Sequence, residues 1–206
     1  MPNGGQYKIS LQDGTKVILN SGTELSYPTR FTGNERLVNV TGEAYFEVSH
    51  DASKPFKVRS DKQTITVLGT HFNIKAYKGE VSETTLLEGK VSIAALNNPS
   101  IQTILNPGLQ ASFNGNQFNT IKVSAEEYTA WTRDLFVFND LTLQQLCAQL
   151  ERWYDVQIIL PPNISEQRYL MEIPRDKKLS ETLTSISELI GLNYKIEGRR
   201  VTVTLR

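Results

Sequence analysis

The sequence predicts a mostly β protein, with an N-terminal all-β stack followed by a small α+β domain of two tandem βαβ-type units. Three observations carry this prediction. Apolar and polar residues alternate along most of the chain up to Phe113, the period of half-buried strands. Short breaks rich in Gly, Pro, Asp and Ser recur between the runs, as closely spaced strands require. Beyond Asp134 the apolar spacing switches twice from two to three-and-four, which sets amphipathic helices between strands.

From the N-terminus, Tyr7, Ile9 and Leu11, then Asp13-Gly14, then Thr15, Val17 and Leu19 read as a hairpin, because Asp-Gly suits a turn that needs positive φ. The stretch from Val40 to Tyr77 organises the rest of the all-β part. Apolar positions alternate through Val38, Val40, Ala44, Phe46 and Val48, resume at Phe56 and Val58, return at Ile65 and Val67, and close with Phe72, Ile74 and Ala76. Gly42, Asp51-Ala52-Ser53-Lys54-Pro55, Ser60-Asp61-Lys62 and Gly69 read as the turns between these strands. Further on, Gly89 precedes Val91 and Ile93 as Gly42 precedes Ala44 and Phe46, which suggests a degenerate internal repeat. Leu105-Asn106-Pro107-Gly108 opens another turn before Leu109, Ala111 and Phe113. Such units coil as a β-solenoid or pair as a sandwich, and periodicity does not choose between the two.

In the second part, Leu135-Phe136-Val137-Phe138 is apolar on both faces, as a strand covered on both sides would be. Thr142-Leu143-Gln144-Gln145 offers a capping box, and Leu143, Leu146, Cys147, Leu150 and Tyr154 then come at helical spacing up to Asp155. Val156, Ile158 and Leu160 form a strand stopped by Pro161-Pro162. The unit recurs as Tyr169, Met171 and Ile173, a stop at Pro174, then a helix through Leu179, Leu183, Ile186 and Ile190 that ends at Gly191. Tyr194 and Ile196, a Glu197-Gly198 turn, and Val201, Val203 and Leu205 make a terminal hairpin. Both units are expected on one small sheet. The expected boundaries are 1–124 for the all-β domain, 125–134 for a linker and 135–206 for the α+β domain.

On these residues the chain resembles the periplasmic core of FecR-type transmembrane anti-sigma regulators. Gly42 to Val48 (GEAYFEV), Lys54 to Val58 (KPFKV) and Val67 to Ile74 (VLGTHFNI) stand in the family's order, preceded by Leu11 to Asn20 as its LxDGTxVxLN block. Leu143 to Asp155 resembles the C-terminal domain of Bacteroidetes-type regulators, itself similar to the STN signalling domain of TonB-dependent receptors and secretins. The resemblance favours the solenoid-like stack. It implies a periplasmic region, not an enzyme, that relays occupancy of an outer-membrane TonB-dependent receptor through a membrane helix to an ECF-type sigma factor, with envelope proteases taking part. The sequence is then expected to start after the membrane helix, without the cytoplasmic anti-sigma segment. No apolar run approaches the roughly 20 residues of a span, and no signal peptide precedes Tyr7.

Composition narrows the alternatives. The 22 basic and 22 acidic residues cancel, so no global field steers the chain to nucleic acid or an anionic membrane. Cys147 is the single cysteine and sits on an apolar helix face, which points to a buried thiol without a disulfide. A chain of 206 residues buries roughly 70% of its unfolded surface whether as one domain or two.

Reactive constellations are missing from the pattern. His50 and His71 are the two histidines, and neither begins a His-x-His metal motif. His71 reads as structural, and His50 as hydrogen-bonded to Asp51. Glu43 and Glu47 share a strand face about 13 Å apart, too wide for a glycosidase pair, and read as solvated. No nucleophile elbow, Walker loop or dinucleotide fingerprint occurs. No catalytic, cofactor-binding or metal residue is assigned, and no cofactor is expected. Arg175-Asp176-Lys177-Lys178 and Arg199-Arg200 are the basic clusters, read as solubilising surface with a partner contact as the minority view. Large aromatics dominate interfaces, so Trp131 and Trp153 join Arg199 and Arg200 as candidate partner-binding residues. Trp153 is expected to cover a seam between the domains and Tyr154 to lie in the core. Asn-x-Ser/Thr triplets at Asn39 and Asn163 matter only in a eukaryotic secretory route. The alternative function is a carbohydrate- or other ligand-binding β-module using exposed Tyr45, Tyr77 or Trp131 as stacking platforms. An enzyme ranks third, needing His50 or His71 to meet carboxylates in a pocket.

Overall fold

The computed structural model describes residues 1–162, 164 and 166–205, so the Asn163 triplet lies outside the described residues. The chain divides into two compact units, one holding residues 1–2 and 6–129, the other 3–5 and 130–206.

The first unit contains β1 (Tyr7–Ser10), β2 (Lys16–Leu19), β3 (Glu24–Ser26), β4 (Arg36–Glu47), β5 (Phe56–Arg59), β6 (Gln63–Val67), β7 (His71–Ala76), β8 (Ser82–Glu88), β9 (Val91–Ala95), β10 (Gln102–Leu105), β11 (Leu109–Phe113), β12 (Phe118–Lys122) and the short helix α1 (Ala125–Tyr128). The strands run β10-β9-β6-β5-β4-β7-β8-β11-β12, with β3 and then β2 also paired to β4, and β1 to β2. The long strand β4 explains this order. Its first half pairs with β3 and β5, its second half with β2 and β7, so the sheet folds over on itself within β4. The alternating apolar side chains of both halves then meet in one core. Phe46 stacks on Phe72 of its own half at 5.2 Å and tilts against Phe56 of the other at 6.0 Å.

The hairpins β5–β6, β7–β8, β9–β10 and β11–β12 alternate between the halves, and every pairing except β4 with β5 is antiparallel. That is the sandwich, not the solenoid that the family resemblance favoured. Solenoid coils stack in parallel, whereas short turns between successive strands close antiparallel hairpins.

Gly42 corrects a second expectation. It lies inside β4 and not at a turn, with φ +111°, at the point where β4 passes between the halves. The Thr23 hydroxyl fills the space beside it, accepting from Glu43 N–H at 2.9 Å and donating to Glu43 C=O at 3.0 Å. Gly89 sits between β8 and β9, and the residues after the two glycines enter opposite halves. The suspected repeat is therefore absent.

The Asp13-Gly14 loop spans Leu11 to Thr15, closed by Leu11 N–H to Thr15 C=O at 2.8 Å. Asp13 does more than turn the chain. Its carboxylate accepts from the Thr15 hydroxyl at 2.8 Å and from Arg36 Nη1 at 2.7 Å. Arg36, with its side chain 3% exposed, also donates to Lys54 C=O at 2.8 Å and Ser49 C=O at 2.9 Å. Its guanidinium lies 5.3 Å from the Phe56 ring centre. One buried cation thus ties together three loops and the start of β4.

The second unit opens with a 3-10 turn (Ala130–Arg133), followed by β13 (Leu135–Thr142), α2 (Leu143–Tyr154), β14 (Gln157–Ile159), β15 (Arg168–Pro174), α3 (Leu179–Ile190), β16 (Leu192–Glu197) and β17 (Arg200–Leu205). Strand-helix-strand order appears twice, as expected. The strands do not share one sheet, however: β13 pairs with β15, while β17 lies between β14 and β16. Prolines cut β14 to three residues, and its ladder runs parallel to the later β17 instead of to β13. Phe136 and Phe138 face the core with Ile173, Leu146, Leu150 and Val201. Leu135 and Val137 are only half-buried, so β13 is covered on one face and not on both. The stretch 125–134 is made of α1 and the 3-10 turn, with Ala125, Ala130 and Trp131 buried.

Local signals set the helix ends. The Thr142 hydroxyl accepts from Gln145 N–H at 3.3 Å and Gln145 Oε1 accepts from Thr142 N–H at 3.0 Å, a complete capping box. Asp155 (φ +53°) and Gly191 (φ +78°) end α2 and α3 in the left-handed conformation. Cys147 is buried on α2, and burial, with Glu151 nearby, pushes its thiol up to about 12. Thiolate is the reactive species, so Ellman's reagent at pH 8 should leave the native thiol unmodified and label it fully in denaturant. Fast labelling of the native protein would contradict the burial.

Candidate functional site

Among the described residues, no three His, Cys, Asp or Glu side chains converge as a metal would need. What the second unit does present is strand edges, whose unpaired N–H and C=O groups are binding elements in themselves. Three of its four outer strands are guarded. On β13 a bulge between Phe138 and Leu141, with Asp140 at φ +56°, interrupts the strand and blunts its free edge. On β14 the Ile158 N–H is taken by Glu151 Oε1 at 2.6 Å, and Pro161-Pro162 comes next. On β16 Leu192 is buried, Lys195 pairs with Glu197 at 2.8 Å, and the Tyr194 hydroxyl lies 2.7 Å from that of Thr184.

Among the described residues, the fourth edge, β15, is open. Arg175 N–H donates to Asp134 C=O at 2.8 Å, and the register pairs Ile173 with Phe136 and Met171 with Phe138. In an antiparallel ladder, hydrogen-bonded and non-bonded pairs alternate. The backbone groups of Leu170 and Glu172 therefore point away from β13, and Pro174, which has no N–H, shares their orientation. Proline belongs at such an edge. Arg168, Leu170, Glu172 and Pro174 are all exposed, Leu170 at 72%. Arg168 is held by the Asp140 C=O at 2.6 Å and its carboxylate at 3.3 Å, beside the bulge in β13.

The residues singled out from sequence are dispersed. Trp131 is 5% exposed, which leaves it almost no area to offer a partner. Trp153 donates from Nε1 to Arg175 C=O at 3.1 Å, and the Arg175 guanidinium lies 4.8 Å from its ring and 4.4 Å from that of Phe136. Its ring is thus occupied within its own unit. Arg175 is likewise no solubilising surface group, because stacking between two aromatics buries it. Tyr154 packs half-buried against the core cluster and not inside it, its hydroxyl 2.8 Å from that of Thr182, and burial raises its phenol. Arg199 donates to Asp155 C=O at 2.9 Å and meets its carboxylate at 2.5 Å, while Arg200 is exposed at the start of β17.

Two of the three platforms for the ligand-binding alternative are closed. Tyr77 is buried and donates to Ser21 C=O at 2.8 Å, Trp131 is buried, and Tyr45 is half-buried. His71 Nδ1 lies 3.3 Å from the Glu88 carboxylate. Asp51 accepts from the Ser53 hydroxyl and from Ser53 and Lys54 N–H, where a bond from His50 was expected; the Ser53 hydroxyl holds its carboxyl below the ordinary value. Glu43 is not merely solvated, since it accepts from Asn20 at 2.7 Å and Asn73 at 3.1 Å, whereas Glu47 lies 3.8 Å from Lys16. Sequence reasoning missed Leu170. The available signal was an apolar residue at the outward parity of the Tyr169-Met171-Ile173 strand.

Comparison with known proteins covers both units. Residues 2–92 match the family described as FecR protein, and residues 135–203 match the family described as FecR, C-terminal. Two crystal structures of a putative anti-sigma factor from Parabacteroides distasonis ATCC 8503 are similar over 100% of this chain and 97% of theirs, at 32% identity, with TM-scores of 0.91 and 0.90. No curated protein matches.

Proposed function

Since this chain belongs to the FecR family, we propose that it is the signal-transducing region of an anti-sigma regulator, acting through protein contacts and not through catalysis. In this reading it lies in the periplasm, tethered through a membrane helix. It receives the signalling domain of an outer-membrane TonB-dependent receptor and passes that occupancy to an ECF-type sigma factor, with envelope proteases completing the relay. Residues 135–206 serve as an STN-like receiving domain and residues 1–124 as a rigid spacer. The observation that carries the reading is the full-length likeness to a putative anti-sigma factor. An open strand edge in the second unit supplies the contact chemistry it needs. No comparable observation favours the carbohydrate-binding alternative, because two of its three aromatic platforms are buried.

The test is calorimetric titration of this chain with the purified signalling domain of a TonB-dependent receptor encoded beside its gene. Saturable one-to-one binding is expected. No binding by titration and none by chemical cross-linking would defeat the receptor assignment.

A further inference from the structure

We propose that β15 is the strand that receives the partner, through its edge from Arg168 to Glu172, and that the partner contributes an extended segment with an apolar side chain beside Leu170 and a basic one beside Glu172. This rests on the proposed receptor role and sharpens it to one edge and one side-chain pattern.

The choice among the edges comes from what guards each. An edge is blunted by a bulge, by side chains that occupy its backbone groups, by lysine, or by proline. The bulge guards β13, Glu151 and two prolines guard β14, and on β16 Leu192 is buried and Lys195 puts a charged side chain on the edge. Among the described residues, the outward N–H groups of Leu170 and Glu172 on β15 meet no hydrogen-bond partner, and Pro174 marks where pairing must stop. The exposed face of the same strand carries Leu170, the most exposed large apolar side chain among the described residues. Lone exposed leucines are common; one placed on an open edge supplies apolar contact where backbone bonds alone give no selectivity.

Charge sets the rest of the pattern. Arg168 is already neutralised by Asp140 at 3.3 Å, but among the described residues no ion pair is formed by the exposed Glu172. An incoming strand therefore meets one unbalanced carboxylate two residues from the leucine. A basic residue there gains a cross-strand pair, and an acidic one is repelled.

The experiment is amide hydrogen exchange by NMR on the whole chain, alone and with the receptor signalling domain. In the free protein the Leu170 and Glu172 amides should exchange fast beside protected Met171 and Ile173. On binding, Leu170 and Glu172 should slow at least tenfold, while Tyr194 and Ile196 on β16 stay unchanged. Leu170→Pro removes an outward N–H without touching the β13 ladder, so it should leave the fold intact and weaken binding by about tenfold or more. Leu170→Asp should act likewise without a backbone change, and Glu172→Lys should weaken binding and flatten its salt dependence. Binding with new protection on β16, or undiminished by Leu170→Asp, overturns the assignment to β15 and leaves the receptor role standing. Absence of any binding by the wild-type chain overturns both.

Discussion

Replacing Arg36 with alanine is expected to cost about 3–5 kcal/mol of folding stability. The guanidinium bonds the Asp13 carboxylate at 2.7 Å and the carbonyls of Lys54 and Ser49, with its side chain 3% exposed. Alanine strands a carboxylate and two carbonyls that water does not readily reach, and leaves a gap over Phe56. Asp13→Ala should cost a comparable amount by leaving the buried cation uncompensated. The double variant Asp13→Leu/Arg36→Met should lose less than either single change, because an apolar pair has no charge to desolvate. Urea unfolding followed by far-UV circular dichroism decides the matter. If Arg36→Ala loses under about 1 kcal/mol, the hub is a bystander and not a tie between loops.

Gly42→Val is the second large effect, expected at about 2–6 kcal/mol. Two costs add. The φ of +111° is a conformation side chains rarely adopt, worth about 1–3 kcal/mol. A Cβ there would also stand 2.5 Å from the Thr23 hydroxyl and 2.7 Å from its Cα, and forcing atoms into filled space costs roughly a further 1–3 kcal/mol. Backbone cannot swing away as a side-chain tip can, so relief would have to move β4 at its crossing between the half-sheets. Gly79→Ala is the matched control: its φ is +85°, but nothing lies within 4 Å of the added Cβ. It should cost only the conformational part, about 1 kcal/mol. Equal losses at the two positions, in the same unfolding assay, would mean that the close approach of Thr23 contributes nothing.

The strands from Phe56 to Ala76 were readable from alternation because the inward positions there are mostly apolar and buried, from Phe56 and Val58 to Phe72 and Ile74, with Gln63 the polar one among them. The helices were readable from spacing and caps, since Thr142 with Gln145 and the terminal Gly191 act within a single turn of chain. Trp131 and Trp153 show what residue type leaves out. Residue type says that a large aromatic covers much surface, but not whether the chain supplies that surface itself; here Arg175 and Phe136 do so for Trp153. Gly42 misled because a glycine of positive φ serves a turn and a strand crossing equally well.

By itself, then, the order of residues determined where strands and helices fall, which faces turn inward, and that the chain resembles a family of regulators in two successive regions. Those properties depend on neighbours within a few residues and on the apolar period. The tertiary structure alone decided that the β unit is a sandwich folded at β4, that Asp13 meets Arg36, and that the outer edge of β15 has no partner strand among the described residues. Each of these depends on which distant segments come to share a hydrogen-bond ladder or a buried charge, and a local pattern of hydrophobicity carries no information about such pairings.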